Sequence, residues 1–182
     1  DLLSGWGVKF VFGTAGDTIL HFLSCLSQHP VRFIQMRNEE SAAYAASAYA
    51  KLTGELGVVA ADGGPGTGRL VNGLADALND GAPVFAVTGQ VESLYLGTDH
   101  KQYINQQLLL RSVTIRSENL GSPQSLTAAA AQLLRTAVSQ GGPVHLSVPK
   151  DFWQQPTDPA PVKNEPFLTQ KPRAEQTVIS QA

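Results

Sequence analysis

Four short polar segments, each directly after an apolar run, contain the side chains of this 182-residue sequence that could do chemistry. In an open sheet of parallel strands, ligands bind beyond the carboxyl ends of the strands. These segments are therefore the predicted binding edge of such a sheet. They are residues 13–16, 37–40, 62–68 and 89–91.

The second segment places Glu39 at the start of a predicted helix that is rich in alanine and serine. A carboxylate at this position can accept a hydrogen bond from a ligand, or it can simply complement the helix dipole in the first turn. The small side chains that follow allow the helix to pack closely on its own sheet or on another subunit. The residues of this segment alone leave both questions open.

The third segment, from Gly63 to Gly68, superficially resembles a phosphate-binding loop. Arg69 stands where that motif needs lysine, and Leu70 stands where it needs the hydroxyl residue that holds magnesium. Pro65 also removes one backbone donor. A nucleotide-binding loop is therefore disfavoured, which leaves a glycine turn that lets backbone approach a flat ligand, or a tight turn without a ligand.

The elements that must position these segments alternate as short apolar strands and longer helices, which predicts an α/β fold with a parallel six-stranded sheet and helices on both faces. The predicted strands are residues 9–12, 32–36, 58–61, 84–88, 113–115 and 144–148. The predicted helices are residues 17–27, 39–52, 66–79, 102–110 and 123–139.

Composition limits the possible partners and compartment. The length predicts one domain over residues 1–155, followed by a proline-rich linker over 156–182 that leads towards a further domain. A formal charge of −2 gives no broad basic field, so nucleic acid is not a favoured partner, and no apolar run reaches membrane-spanning length. The single cysteine, Cys25, and the four dispersed histidines predict neither a disulfide nor a metal site, and the cytoplasm is the expected location. The absence of an initiator methionine suggests an excised piece of a longer protein.

Taken together, the motifs resemble the pyrimidine-binding domain of thiamine-diphosphate-dependent enzymes of the pyruvate oxidase and acetolactate synthase type. They occur in the family's order and spacing over nearly all of residues 1–155. The matching segments are Val11-Phe-Gly-Thr-Ala-Gly16, Arg37-Asn-Glu-Glu-Ser-Ala-Ala43, Ala50-Lys-Leu-Thr-Gly54, Gly64-Pro-Gly66, Asn72-Gly-Leu-Ala-Asp76, Thr88-Gly-Gln90, Gly97-Thr-Asp99, Gly142-Pro-Val144 and Val148-Pro-Lys-Asp151.

The resemblance implies roles for particular residues. Glu39 would hydrogen-bond the cofactor's aminopyrimidine and favour the imino tautomer that removes the thiazolium proton. Gly16, Pro65 and Gly66 would shape the walls against the pyrimidine ring, and Gln102 would lie near the substrate.

The same resemblance implies the cofactors and partners of the whole enzyme. Thiamine diphosphate would bind between two subunits of a homodimer or tetramer, with magnesium held by a second domain. The Gly-Asp-Gly segment that anchors magnesium and diphosphate in the family does not occur in this sequence, so the chain would carry half a site and be inactive alone. A 2-oxo acid such as pyruvate would be decarboxylated, and an oxidase of this type would also bind FAD.

Four positions depart from the family's usual pattern: Asn38 replaces a histidine, Ala15 a proline, Asp62 a small hydroxyl residue and Lys101 a phenylalanine. The Lys101 and Asn38 changes keep open a second hypothesis, a non-catalytic protein-interaction module that retains the fold.

Overall fold

A computed structural model describes residues 1–157 of the chain, which form one six-stranded, entirely parallel sheet. The proline-rich segment predicted for 156–182 lies, from residue 158 onward, outside the described residues. The strands are β1 Phe10–Gly13, β2 Arg32–Gln35, β3 Gly57–Ala61, β4 Val84–Gln90, β5 Arg116–Asn119 and β6 Pro143–Pro149, arranged in the order β2-β1-β3-β4-β6-β5. The predicted fold class is confirmed.

The helices occur mainly between the strands. They are α1 Leu2–Gly5, α2 Leu20–Leu26, α3 Glu39–Thr53, α4 Pro65–Gly68, α5 Val71–Asn79, α6 Gln106–Leu110 and α7 Leu126–Gln140. Four short 3₁₀ turns, Asp17–Ile19, Ser93–Tyr95, Pro123–Ser125 and Lys150–Gln154, complete the elements. In the part of the chain that the structure describes, no helix is both long and apolar enough to cross a bilayer.

The sheet separates two hydrophobic cores, because successive side chains of a strand point to opposite faces. Val58 and Phe85 belong to a core that contains leucines of α7, whereas Val59 and Ala86 belong to a second core rich in alanine from α3 and α5. Both faces of β3, β4 and β6 are thus covered, which explains their nearly unbroken apolar sequences.

The fifth strand does not lie where the sequence pattern predicted it. The apolar run 113–115 precedes the strand, and the paired residues are the polar Arg116–Asn119. Val113 is buried in the alanine-rich core and Ile115 packs against the other core, so both are apolar for reasons of packing outside the strand. β5 is an edge strand with one neighbour, β6, and such a strand tolerates polar residues.

Four predicted helices are shorter or interrupted in the structure. The first and last of them each begin with a 3₁₀ turn, at Asp17–Ile19 and Pro123–Ser125, and the helix predicted over 66–79 is divided into α4 and α5. The helix predicted from Gln102 begins only at Gln106, because the Asn105 side chain caps it by accepting a 2.9 Å hydrogen bond from the backbone N–H of Leu108.

Candidate functional site

The four polar segments meet at the carboxyl edge of the sheet, beside the point where the strand order reverses. β1 and β3 are adjacent in the sheet. The chain passes from β1 to β2 on one side and from β3 to β4 on the other, so the connections that follow β1 and β3 run in opposite directions. A crevice at such a reversal is the usual ligand site of an open α/β sheet. The contacts described below join all four segments there.

Glu39 is positioned by the first turn of α3. The Asn38 side chain caps this helix, because its Oδ1 accepts a 2.8 Å hydrogen bond from the backbone N–H of Ser41. Asparagine is among the best N-cap residues, and the cap determines where the helix starts. Asn38, the departure from the family's histidine, therefore has a structural role that places Glu39 at the first helical position.

The two carboxylate oxygens of Glu39 have different surroundings. Thr14 Oγ1 donates a 2.8 Å hydrogen bond to Oε1. Oε2 is buried and accepts no hydrogen bond from residues 1–157, although Arg69 Nη1 lies 3.5 Å away. The Glu39 side chain is 13% exposed, and the Arg69 side chain is 65% exposed. One oxygen of a mostly buried carboxylate thus remains free to bind a donor.

The glycine turn after β3 leaves room beside this carboxylate. A Cβ on Gly66 would lie 3.3 Å from Glu39 Oε1, so glycine lets the backbone approach closely. Pro65 is the first residue of α4, where its missing N–H costs nothing, and it follows Gly64 with a φ of +64°. Gly66 therefore lies beside Glu39, and Pro65 directly precedes it in the turn.

Gly16 has a more specific partner than the sequence indicated. A Cβ on Gly16 would lie 2.4 Å from the Cβ of Asp62, so any larger residue would collide with that carboxylate side chain. Asp62 Oδ1 accepts hydrogen bonds from the backbone N–H (2.8 Å) and the hydroxyl of Thr18. Asp62, which departs from the family pattern, therefore joins the first segment to the third.

Gln102 has a left-handed backbone with a φ of +68°, the one such non-glycine residue among those described. Its carbonyl oxygen lies 2.2 Å from the place that a Cβ on Gly64 would take, so the two backbones are in direct contact. A backbone of this kind is unfavourable unless its surroundings impose it, and such residues cluster at functional sites.

Gln102, whose backbone contacts Gly64 of the glycine turn, also lines a cavity of about 220 Å³. Thr18 and Lys101 line the same cavity, together with Lys150, whose Nζ donates a 2.6 Å hydrogen bond to Asp17. That hydrogen bond raises the pKa of Lys150 above its ordinary value. Among residues 1–157, no group of histidine, cysteine and carboxylate side chains could hold a metal ion.

The sequence of residues 1–109 matches the family model described as the thiamine pyrophosphate enzyme, N-terminal TPP binding domain. The chain belongs to this family. It is 40% identical over 98% of its length to a putative thiamine pyrophosphate-containing protein, YdaP, of Bacillus subtilis, of which it covers 32%. It is 39% identical over 82% of its length to the acetolactate synthase isozyme 2 large subunit of Escherichia coli, covering 28%, and 34% identical over 85% to the pyruvate oxidase of Lactiplantibacillus plantarum, covering 26%.

A solved structure shares the fold of this thiamine pyrophosphate enzyme domain. The thiamine diphosphate-dependent 4-hydroxybenzoylformate decarboxylase of Rhodococcus jostii aligns with 99% of the chain and 34% of its own length, with a TM-score of 0.84 and 22% identity. The chain thus spans about a third or less of the length of each of these relatives.

Two residues of the site were not identified from the sequence. Thr14 belongs to a segment that had been singled out, but its contact with Glu39 joins residues 25 positions apart. Arg69 was considered only as a failed phosphate-loop lysine, whereas the structure places it beside Glu39. A sequence signal for the position of Glu39 was present, because Asn38 is a favourable N-cap residue directly before the predicted helix.

Proposed function

We propose that this chain is the pyrimidine-binding part of a longer thiamine-diphosphate-dependent enzyme that acts on 2-oxo acids such as pyruvate, with Glu39 as its cofactor-activating carboxylate. The observation that carries the proposal is the buried Oε2 of Glu39, which lies beside a glycine turn and receives no hydrogen bond from the described residues 1–157. Buried polar atoms normally have partners, and an unsatisfied one calls for an explanation such as a ligand.

The residues fit the aminopyrimidine of thiamine diphosphate. A ring nitrogen that carries a proton needs an acceptor, and Glu39 Oε2 is a buried acceptor that receives no hydrogen bond from residues 1–157. A flat ring needs close backbone approach, and Gly66 provides a wall without a side chain beside Glu39. When bound, thiamine diphosphate supplies an acidic thiazolium carbon and an electron-accepting ring.

Glu39 would stabilise the protonated pyrimidine, because a carboxylate binds a charged donor more strongly than a neutral one. Thr14 would hold the carboxylate in position through Oε1, and burial would strengthen the interaction by excluding water. Gln102 would face the 2-oxo acid from the adjoining cavity.

Several features of the complete enzyme belong to the same proposal. The relatives named acetolactate synthase and pyruvate oxidase support 2-oxo acid chemistry, and an oxidase-like enzyme would also use FAD. Magnesium would bind with the diphosphate in another domain, and a homodimer or tetramer would bring the two halves together. The cytoplasm remains the expected location.

The test is Glu39→Gln in the full-length protein. We expect turnover to fall by about 10²–10⁴-fold, because glutamine keeps the size and a hydrogen bond but removes the charge that stabilises the protonated ring. Deuterium exchange of the thiazolium proton, followed by NMR, isolates this step and should slow by a similar factor.

Glu40→Gln is the matched control, since Glu40 is the next residue and its Oε1 accepts a 2.8 Å hydrogen bond from Asn72. That variant should exchange the proton at the wild-type rate. Exchange in Glu39→Gln as fast as in wild type would refute the catalytic assignment and leave Glu39 as a helix-start carboxylate.

A further inference from the structure

A buried glutamine on α6 joins the glycine turn to the end of β4. Gln106 is fully buried, and its Nε2 donates a 3.0 Å hydrogen bond to the carbonyl of Gly89. Its Oε1 lies 3.0 Å from Thr67 Oγ1 and 2.6 Å from Thr88 Oγ1, and both hydroxyls can donate to it. Burying a primary amide is unfavourable unless its atoms are paired, and this side chain has partners at both ends.

The hydrogen bonds continue through the sheet to its edge strand. His145 on β6 is fully buried, with Nε2 at 2.8 Å from Thr88 Oγ1 and Nδ1 at 2.8 Å from Ser117 Oγ. When the single proton of Thr88 is donated to Gln106, His145 must donate from Nε2 and accept at Nδ1 from Ser117. The hydrogen bonds then all run in one direction, from Ser117 through His145 and Thr88 to Gln106.

Burial keeps this histidine neutral, as the directed chain requires. The absence of solvent lowers the pKa of His145 from 6.5 to about 3. The imidazole can therefore act as donor at one nitrogen and acceptor at the other throughout the physiological pH range.

The same chain of hydrogen bonds supports both ends of the glycine turn. Thr67 directly follows Gly66, whose absent Cβ makes room beside Glu39. At the other end, the carbonyl of Gly89 lies 3.0 Å from the place that a Cβ on Gly63 would take, so the backbones of the two loops touch. Gln106 bonds to Thr67 and to Gly89, and it thus holds the turn between two points.

We propose that Gln106, Thr88 and His145 are positioning residues that hold the turn from Gly63 to Thr67 against Glu39 in the geometry that receives the pyrimidine ring. The cofactor in this statement rests on the proposed function, whereas the support of the turn does not depend on it. Apolar residues could fill the same space. Hydrophobic packing alone, however, would specify the geometry of the turn less sharply than these hydrogen bonds do.

Thr88→Val in the full-length protein tests the proposal, because valine matches the shape of threonine and removes only the hydroxyl. We expect thiamine diphosphate, with magnesium present, to bind about tenfold more weakly in calorimetric titration. Amide hydrogen exchange of residues 63–67 should become faster by about the same factor, and Thr88→Ser should restore both values.

Thr114→Val is the matched control. Thr114 is also buried, and its hydroxyl donates a 2.8 Å hydrogen bond to the carbonyl of Leu110, outside the chain described above. The proposal is overturned if Thr88→Val leaves the exchange of residues 63–67 unchanged, or if Thr114→Val accelerates it equally. Failure of the wild-type protein to bind thiamine diphosphate would instead refute the proposed function. Amide hydrogen exchange would still decide whether the hydrogen bonds of Gln106, Thr88 and His145 support the turn.

Discussion

Glu39 depends on Thr14 as much as on its own helix. The Thr14 hydroxyl is the one hydrogen-bond donor to this carboxylate among residues 1–157, and it leaves the second oxygen free for a ligand. The exposed Arg69 guanidinium, 3.5 Å from Oε2, is a weaker partner, because exposed ion pairs contribute only about 0–1 kcal/mol. Of the two side chains that contact the carboxylate, the threonine is therefore the stronger partner.

Thr14→Val is expected to lower the free energy of unfolding by about 1–3 kcal/mol, because a mostly buried carboxylate oxygen loses its donor. The valine side chain has nearly the same volume, so packing should change little. Urea denaturation of the 182-residue chain measures the effect, and Thr14→Ser, which keeps the hydroxyl, should recover most of the stability. Equal stability of the valine variant and the wild type would show that Thr14 does not hold Glu39 in place.

At the scale of elements, α3, the helix that begins with Glu39, packs closely against α5. Several small side chains of α3 are buried within this chain in the alanine-rich core, namely Ala42, Ala43, Ala46 and Ala50, whereas Ala48, Tyr44 and Leu52 of the same helix are exposed. Ser47 on α3 also donates a 2.7 Å hydrogen bond to Asp76 on α5. Small residues thus serve contact with the chain's own helix, and an interface with a second subunit would use the exposed face.

Gly73→Ala should disrupt this contact. The new Cβ would lie 2.5 Å from the Cβ of Ala43 and 2.6 Å from the backbone of α3, so the two helices would have to separate. Overpacking of this kind costs about 1–3 kcal/mol, which exceeds the gain of about 1 kcal/mol that alanine brings to a helix. Chemical denaturation should therefore show a net loss of stability.

Gly68→Ala provides the comparison for Gly73→Ala, because a Cβ on Gly68 would meet no atom within 4 Å and the residue also lies in a helix. It should leave the free energy of unfolding unchanged or increase it. A loss as large as that of Gly73→Ala would mean that helix packing does not explain the effect.

For the whole molecule, the buried His145 makes stability depend on pH. In the folded chain, burial away from water lowers the pKa of this imidazole to about 3, from the ordinary value of 6.5 for a histidine in water. Below pH 6.5 the unfolded chain binds a proton that the folded chain binds only near pH 3. Stability is therefore lost as the pH falls through this window.

We expect the free energy of unfolding to decrease between pH 7 and pH 5, with a slope approaching about 1.4 kcal/mol per unit at the lower end. Glu55 and Asp76 have pKa values lowered by their lysine partners, so their contributions are lost at lower pH. His145→Gln removes the buried imidazole and should flatten the curve over this range, as measured by urea denaturation at each pH. An unchanged slope in the variant would contradict the assignment.

The sequence by itself determined the alternation of strands and helices, the parallel sheet and the family, because these depend on local periodicity and on motifs that recur in order. It also indicated that Glu39, Pro65 and Gly66 follow strands that end at one edge of the sheet, where the structure has Gly66 beside Glu39. The fifth strand was misplaced because its apolar signal came from Val113 and Ile115, which are buried outside the strand.

Only the tertiary structure decided which side chains hold the site together. The contact of Thr14 with Glu39, the collision that restricts Gly16 beside Asp62, and the left-handed backbone of Gln102 against Gly64 all join distant positions in the chain. The buried chain from Ser117 to Gln106 spans three strands and a helix. Such contacts depend on strand order and on the packing of helices across the sheet, and local sequence patterns carry no information about either.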